Sequence, residues 1–332
     1  MILHTKAGIS EAQAHEIAKA TQSAIFKKDD YYVLVTPSKM KETPTEFSAH
    51  IEAEWPMNDD IQLASKSYLN ATREVKVGKV TIGGNTGNTL IVAGPCSVES
   101  EEQIRESAAL LQELNITALR GGCYKPRTSP YSFQGLGLEG LKLLAKMRDE
   151  HGFSIVSEVR DSTHVDEVIE HADVIQIGAK SMYDHGILKA CAKTNKTVLI
   201  KRGFGTTLQE FVQAAEFVLS GGNENVLLCE RGIRTFETKT RFTLDLCGVA
   251  WLKEYTNLPV ILDPSHALGY RYGIADLTKA CVAMGVDGLL IEVHPNPAVA
   301  KSDAAQQLYH DQFRDLMKAI KPVAEAVGRR IV

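Results

Sequence analysis

Short apolar runs alternate with amphipathic stretches from about residue 89 onward. The runs are rich in Val, Ile and Leu, and the segments between them, such as SEEQIRESAALLQELN and TTLQEFVQAAEFVLSGG, carry apolar residues three and four positions apart. This alternation predicts parallel strands separated by helices. The eight predicted strands are residues 90–94, 117–121, 154–159, 174–178, 197–202, 225–230, 259–263 and 288–293.

Eight strand–helix units predict a closed barrel. They occupy roughly 250 residues, which is the usual size of a (β/α)8 TIM barrel. An open, doubly wound sheet is the alternative, but the first predicted strand leads into AGPCSVES, which is not a Gly-rich dinucleotide fingerprint. We therefore predict an α/β fold built on a (β/α)8 barrel.

The chain ahead of the barrel divides into a small module and a hairpin. The module, residues 1–65, has predicted strands at MILHTK and YYVLVTP, a helix from about Ser10 to Phe26, and a second helix near PTEFSAHIEAEW. These elements indicate an α+β domain, for which a ferredoxin-like arrangement is one option. Residues 66–332 form the predicted catalytic barrel. Within it, residues 74–83 read as a β-hairpin that would plug the bottom of the barrel.

Composition and charge narrow the functional classes. The 332 residues are 44% hydrophobic and 23% charged, which is typical of a globular protein. A formal net charge of −4 does not provide the basic field that nucleic acids or anionic membranes attract, so neither partner is expected. The opening residues lack a signal-peptide pattern, and the six scattered cysteines form no CxxC pair, so we expect a cytoplasmic protein.

Charged residues follow nearly every predicted barrel strand. The carboxyl ends of barrel strands and the loops after them form active sites in this fold, so these side chains should meet at one mouth. One such charge alone would more simply be a solvated rim residue. Many cations together, in a protein that is acidic overall, indicate multiply anionic substrates, most simply phosphorylated ones. The cations are Arg120, Lys125, Arg127, Lys180, Lys201 and Arg231, and Glu158 lies among them.

Four other side chains at the predicted mouth are candidate metal ligands. Cys96 follows the first barrel strand, His266 follows the seventh, and Glu292 and Asp303 lie around the eighth. A thiolate, an imidazole and two carboxylates suit one divalent ion such as Mn²⁺, Fe²⁺, Co²⁺ or Zn²⁺, and they are poor ligands for Ca²⁺ or Mg²⁺. The alternative is that the four residues have separate buried or rim roles, because they meet only if the barrel closes.

Seven segments of the chain resemble the 3-deoxy-D-arabino-heptulosonate 7-phosphate synthases, specifically their type I beta subgroup. They are AGPCSVES, LRGGCYKPRTSPYSFQGLG, IQIGAKSM, LIKRGFGTTLQEF, LCERGIRTFE, LDPSHALG and IEVHPNPAVAKSDAAQQL. The strings KPRTSPYSFQGLG and CERGIRTFE are the most specific. The resemblance implies a metal-dependent transferase that condenses phosphoenolpyruvate with D-erythrose 4-phosphate and water. This reaction is the first step of the shikimate pathway to chorismate and the aromatic amino acids.

The same resemblance implies a role for each candidate residue. The implied metal ligands are Cys96, His266, Glu292 and Asp303. The implied phosphoenolpyruvate contacts are Arg120, Lys125, Lys180, Lys201 and Arg231. The implied erythrose 4-phosphate clamp is Lys125, Pro126, Arg127 and Thr128. Lys125, His266 and Glu158 are the expected catalytic residues, with Lys125 as a proton donor to the nascent alkoxide.

Two other functions remain as alternatives. The sister family, the 3-deoxy-D-manno-octulosonate 8-phosphate synthases, uses arabinose 5-phosphate and shares the barrel and the EVHP and SD strings, but it resembles KANRSS where this chain has KPRTS. A non-catalytic regulator would be expected to have lost one or more of the metal ligands or of the residues in the KPRT clamp, and this sequence keeps all of them. For the small module, feedback by an aromatic amino acid and assembly of a homodimer or homotetramer are equally compatible with the sequence.

Two positions depart from the family pattern. Lys180 stands where the resemblance leads us to expect the Arg of an IGAR string, so the charge is kept but the bidentate fork is lost. Cys123 stands where Ala is expected in GGAYKPR. We consider two roles for Cys123: a small packing residue, or a thiol that forms a disulfide with Cys96 when metal is lost.

Overall fold

The first four strands form an antiparallel sheet of their own. The structure, a computed structural model, describes residues 1–125 and 129–332. The elements of this part are β1 (Ile2–Thr5), α1 (Glu11–Thr21), β2 (Ala24–Lys28), β3 (Tyr31–Val35), a 3-10 helix (Thr45–His50) and β4 (Ile51–Trp55). The strand order is β2-β3-β1-β4, and all neighbours are antiparallel. This is the βαββαβ order of a ferredoxin-like domain, with a 3-10 helix at the place of the second α-helix.

Two predictions for this part are wrong: the end of the first helix and the existence of a second α-helix. The first helix begins after Ser10 as predicted, because Ser10 and Gln13 form a capping box. It ends at Thr21 rather than at Phe26, since Gln22 adopts the left-handed conformation with φ of 53°. The residues after Gln22 pair with β3 as strand β2. The segment near PTEFSAHIEAEW is half 3-10 helix and half strand β4, so the second predicted helix is also wrong.

The eight predicted barrel strands are all present. The hairpin is β5 (Glu74–Val77) with β6 (Val80–Gly83). The barrel strands are β7 (Asn88–Gly94), β8 (Ala118–Arg120), β9 (Ser154–Val159), β10 (Val174–Ile177), β11 (Thr197–Lys201), β12 (Val226–Glu230), β13 (Val260–Leu262) and β14 (Gly288–Glu292). Neighbouring strands are parallel, and β14 pairs with β7, which closes the barrel. A short strand, β15 (Arg330–Ile331), also pairs with β7 and was not predicted.

Helices surround this barrel. They are α2 (Glu101–Glu113), α3 (Leu138–His151), α4 (Val165–His171), α5 (His185–Ala192), α6 (Leu208–Leu219), α7 (Leu246–Tyr255), α8 (Pro264–Leu268), α9 (Ile274–Ala283) and α10 (His310–Ala326). Short 3-10 helices follow α8 at Arg271–Gly273 and β14 at Pro297–Val299. Among residues 1–125 and 129–332, no helix is both long and apolar enough to cross a bilayer.

Alternate residues of each barrel strand serve two separate cores. In β7, Leu90 and Val92 point into the barrel, whereas Ile91 and Ala93 pack against the helices. Successive side chains of a strand point to opposite faces, so the continuous apolar runs predict burial on both sides. Val75 and Ile82 of the hairpin belong to the interior cluster. The hairpin therefore closes the end of the barrel at which the strands begin, as the sequence predicted.

One carboxylate of the barrel holds the segment that joins it to the small module. Glu216, on α6, accepts three consecutive backbone N–H groups: those of Gln62 (2.7 Å), Leu63 (3.1 Å) and Ala64 (2.8 Å). Nearby, Arg73 donates to the carbonyl of Leu63. Consecutive N–H groups that point at one acceptor form an anion-binding concavity. The main chain of the segment is thus hydrogen-bonded to the barrel.

Glu216→Gln tests this contact. The side-chain carbonyl of glutamine can still accept the N–H groups of Gln62 and Ala64. Its amide NH₂ would face the N–H of Leu63, and two donors cannot form a hydrogen bond. We expect the free energy of unfolding to fall by about 1–3 kcal/mol and the amides of residues 62–64 to exchange faster with deuterium. Glu254→Gln, at an exposed position of α7, is the matched control and should change neither quantity. Unchanged exchange in Glu216→Gln would contradict the proposed contact.

Candidate active site

A polar cavity of about 250 Å³ opens at the carboxyl ends of the barrel strands. It is lined by seven predicted residues, namely Lys125, Glu158, Lys180, Lys201, Arg231, His266 and Asp303, together with Ala179, Phe204, Arg234, Arg241 and Phe242. Three other predicted residues, Cys96, Arg120 and Glu292, are buried beside it. Pro126, Arg127 and Thr128 lie outside the described residues. Among the described residues, the structure therefore brings together five of the six predicted cations, all except Arg127, and it places candidate metal ligands next to them.

The four candidate metal ligands converge although they are far apart in the sequence. One ligand atom from each of Cys96, His266, Glu292 and Asp303 lies within 4.8 Å of the other three. Cys96 follows β7, His266 is in α8, Glu292 ends β14, and Asp303 lies in the loop before α10. Asp303 adopts φ of 47°, a left-handed conformation that Asp tolerates better than most residues. The chemistry of this donor set fits a divalent transition metal.

His266 is oriented by the residue at the end of the seventh barrel strand. Its Nδ1 is 2.7 Å from Oδ2 of Asp263, whose Oδ1 accepts the backbone N–H of His266. Nε2 faces Glu292 at 3.4 Å. Burial lowers the pKa of His266, and this effect outweighs the opposing effect of Asp263. The imidazole is therefore neutral near pH 7, with Nδ1 beside the carboxylate of Asp263 and Nε2 turned toward the other candidate ligands.

Cys96 lies against a lysine and a hydroxyl. Its Sγ is 3.2 Å from Nζ of Lys125 and 3.0 Å from Oγ of Ser302. Burial and the neighbouring Glu292 raise the pKa of the thiol to about 12, although Lys125 opposes this rise. The thiol is protonated at neutral pH in the absence of a cation. A bound metal would displace that proton, because coordination strongly favours the thiolate.

Buried ion pairs fix two cations of the mouth. Nη1 of Arg120 is 2.6 Å from Oε1 of Glu292, and Nζ of Lys201 is 2.5 Å from Oδ2 of Asp263. Burial would raise the pKa of Asp263, but His266 and Lys201 hold it well below its usual range. A buried charge is tolerated when it is paired in this way. Arg120 and Lys201 therefore keep their charge and position beside the cavity.

Arg231 is a buried cation with an unused donor. It is 5% exposed, and within the described part of the chain its Nη1 has no hydrogen-bond partner. Its guanidinium carbon lies 4.3 Å from the centre of the Phe242 ring. Burial lowers the pKa of Arg231, so the protein stabilises its charge only in part. A buried donor without a partner is costly, and an anion in the cavity would satisfy it.

The two thiols considered for a disulfide contact different neighbours. Cys96 and Cys123 are both free and buried. Cys123 belongs to the apolar cluster between strands and helices, and a Cβ placed at Gly140 of α3 would come within 3.0 Å of its Sγ. The close approach to Gly140 favours the packing role of Cys123. The disulfide stays a hypothesis.

Sequence reasoning missed several residues of this site, of which four carry most of its additional contacts. Arg234 and Arg241 add two cations to the cavity wall, and Phe204 stacks beneath the guanidinium of Arg234 at 4.8 Å. Gln306 contacts both Glu292 and Asp303. Arg234 and Gln306 lie within the quoted strings CERGIRTFE and SDAAQQL, which were the available signal. Arg241 lies in an irregular segment, where no periodic pattern predicts the direction of a side chain.

Comparison with characterised proteins gives consistent results. Residues 60–329 match the sequence profile of the DAHP synthetase I family. A phospho-2-dehydro-3-deoxyheptonate aldolase from Thermotoga maritima is 43% identical over 270 residues, which cover 81% of this chain and 79% of that protein. A 2-dehydro-3-deoxyphosphooctonate aldolase from Fusobacterium nucleatum is 32% identical and covers 75% of this chain and 95% of its own length.

Solved structures extend the likeness to the small module. The crystal structure of the phospho-2-dehydro-3-deoxyheptonate aldolase (DAHP synthase) of T. maritima superposes with a TM-score of 0.80 at 37% identity. The match covers 100% of this chain and 99% of the other. A truncated form of the T. maritima enzyme gives a TM-score of 0.76 at 39% identity and covers 81% of this chain and 98% of its own. The chain therefore belongs to the DAHP synthetase I family.

Proposed function

We propose that the protein condenses phosphoenolpyruvate with D-erythrose 4-phosphate and water, and releases 3-deoxy-D-arabino-heptulosonate 7-phosphate and phosphate. The observation that carries this proposal is the cavity that combines buried cations with the Cys96, His266, Glu292 and Asp303 cluster. A phosphorylated enol and a phosphorylated aldehyde require such anion contacts. Membership of the DAHP synthetase I family supports the same reaction, and with it a role in aromatic amino acid biosynthesis.

Phosphoenolpyruvate is proposed to bind among five cations: Arg120, Lys125, Lys180, Lys201 and Arg231. All five lie in or beside the cavity, and Arg231 offers a buried donor that an oxyanion would satisfy. The pairing of Arg120 and Lys201 with carboxylates holds both cations in place before the substrate arrives. Preorganised cations that do not have to move on binding stabilise charge efficiently.

Cys96, His266, Glu292 and Asp303 are proposed to hold one divalent ion, Mn²⁺, Fe²⁺, Co²⁺ or Zn²⁺. The fit rests on the mixed donor set and on the imidazole of His266, whose Nδ1 is engaged by Asp263. When bound, such an ion supplies Lewis-acid polarisation of the aldehyde oxygen. Cys96 and the two carboxylates supply the negative charge that retains the ion.

Lys125, His266 and Glu158 are the proposed catalytic residues. Nζ of Lys125 is buried and lies 3.0 Å from the carbonyl of Cys96, so it is positioned beside the proposed metal ligands. From there it would donate a proton to the alkoxide that forms when C3 of the enol phosphate attacks the aldehyde. Glu158, which accepts a hydrogen bond from Gln176 at 2.6 Å, also lines the cavity. His266 acts by holding and polarising rather than by proton transfer.

Erythrose 4-phosphate is proposed to bind to Lys125, Pro126, Arg127 and Thr128. Only Lys125 of this group lies among the described residues, so the support for the clamp is the KPRTS string itself. The same string separates this reaction from the use of arabinose 5-phosphate. The higher identity to the heptonate aldolase than to the octonate aldolase, 43% against 32%, favours the same choice.

The small module, residues 1–65, is proposed to be a regulatory or oligomerisation domain attached to the catalytic barrel of residues 66–332. An aromatic amino acid effector and a homodimer or homotetramer remain the two candidate roles. The module makes polar contacts with the barrel, among them Lys28 to Glu224 at 2.8 Å and the three N–H groups held by Glu216. We also propose a cytoplasmic location, because all six cysteines are free.

The proposed reaction is tested by a phosphate-release assay. After chelation and reconstitution with Mn²⁺, the protein is given phosphoenolpyruvate with either erythrose 4-phosphate or arabinose 5-phosphate. We expect a much higher kcat/KM with erythrose 4-phosphate, because the KPRTS clamp fits the four-carbon sugar. Preference for the pentose would overturn the choice of aldose. Activity with neither sugar would overturn the enzymatic role.

Lys180→Arg tests the most notable departure from the family pattern. We expect the KM for phosphoenolpyruvate to stay the same or fall, because Arg adds a fork that matches a carboxylate or phosphate. Lys180→Met, which keeps the length and removes the charge, should raise the KM about 10- to 100-fold, the equivalent of one lost charged hydrogen bond. A large loss of affinity in Lys180→Arg would show that the surrounding residues are adapted to lysine.

Metal binding is expected to depend on pH. The pKa of Cys96 is raised to about 12 and that of His266 is lowered from its usual value, so between pH 7 and 9 the free site carries a thiol proton and a neutral imidazole. Binding must then release one proton, and the apparent metal affinity should rise about tenfold per pH unit. Competition with a chromophoric chelator measures this slope. Cys96→Ser should bind more weakly and lose the slope, and an unchanged slope would contradict thiolate ligation.

A further inference from the structure

Gln306 lies between the two carboxylates of the proposed metal site. Its side chain is in the loop after Asp303, and the residue is 1% exposed. Nε2 donates to Oε2 of Glu292 at 2.6 Å and approaches Oδ2 of Asp303 at 3.4 Å. One buried amide therefore contacts two of the four proposed ligands.

The orientation of this amide is fixed from the other side. Oε1 of Gln306 accepts a hydrogen bond from Nη1 of Arg241 at 2.8 Å. A guanidinium only donates, so the group that faces Arg241 must be the carbonyl, and the group that faces the carboxylates must be the NH₂. The opposite orientation would place an oxygen against Oε2 of Glu292 and a donor against Arg241. The amide thus presents its NH₂ to the carboxylates in a single orientation.

Glu292 is held at both of its oxygens. Arg120 binds Oε1 at 2.6 Å, and Gln306 binds Oε2. A second cation at the position of Gln306 would hold the carboxylate equally well, but it would cancel negative charge that a dication needs. A neutral amide fixes the geometry and leaves that charge in place. Such outer contacts commonly change metal affinity about 10- to 100-fold when they are removed.

We infer that Gln306 is a positioning residue of the metal site, which sets the orientation of Glu292 and Asp303 before an ion binds. The inference rests on the proposed ligand set. Arg241, in the cavity wall, is the anchor that keeps the amide in its orientation. The arrangement Arg241–Gln306–Glu292 joins the substrate cavity to the metal site through three side chains.

The test compares Gln306→Leu with the parent protein. Leucine occupies a similar volume and cannot form the hydrogen bonds that the amide makes with the carboxylates and with Arg241. We expect the dissociation constant for Zn²⁺, measured by chelator competition, to rise about 10- to 100-fold. The visible absorption bands of the Co²⁺-loaded protein should shift, because the carboxylates relax. At saturating metal kcat should largely recover, since the loss lies in affinity. Gln306→Met, with a flexible chain of similar size, is the second variant if Gln306→Leu is poorly folded.

Gln62→Leu is the matched control. Gln62 is also a buried glutamine, 5% exposed, but its amide donates to the carbonyl of Thr36 in the small module. It should lower stability without changing the Zn²⁺ affinity or the Co²⁺ spectrum. If both Gln306 variants kept the Zn²⁺ affinity and the Co²⁺ spectrum of the parent protein, the inference would be overturned and the proposed ligand set would stand. Absence of a thiolate-to-Co²⁺ band in the parent protein would instead overturn the proposed ligand set, and the inference with it.

Discussion

Mutual neutralisation of buried charges at the carboxyl end of the barrel is the constraint on which the site depends. Arg120 pairs with Glu292, Lys201 with Asp263, and Arg202 with Glu230 at 2.9 Å. Each pair joins different strands or the residues that follow them, so it forms only when those strands have come together. Removing one partner would leave an unpaired buried charge at a cost of about 3–5 kcal/mol. Folding and preorganisation of the site are therefore the same event.

The barrel was predictable because each strand is buried on both faces. Runs such as LIVAG and NVLLCE are largely apolar without alternation, which identifies strand type without any knowledge of partners. The small module was less predictable. The helix pattern that begins at Ser10 continues through Ala24 to Phe26, and only the left-handed Gln22 divides helix from strand. Strand β15 spans two residues and depends entirely on pairing with β7, so no local pattern indicates it.

The sequence was sufficient to predict which side chains lie together in the site. Parallel strands end at one edge, so the charged residues after them, from Lys125 to Arg231, had to share a mouth. Their individual partners were not predictable, because a strand end does not specify which neighbour a long side chain contacts. Gln306 shows the difference. It lies in the string SDAAQQL, which identifies the family but not the contacts of each residue. The contact of Gln306 with Glu292 depends on the conformation of the loop that carries Asp303. The roles assigned to these residues remain proposals.

The hairpin determines where small molecules can enter and leave the barrel. Val75 and Ile82 belong to the apolar cluster that fills the barrel interior, so no route leads through the barrel from the strand-start end. Every reactant must enter, and every product leave, through the mouth at the other end. A base that is sealed by apolar side chains thus leaves the cavity with one opening to solvent, and any residue that narrows that opening affects entry and release together.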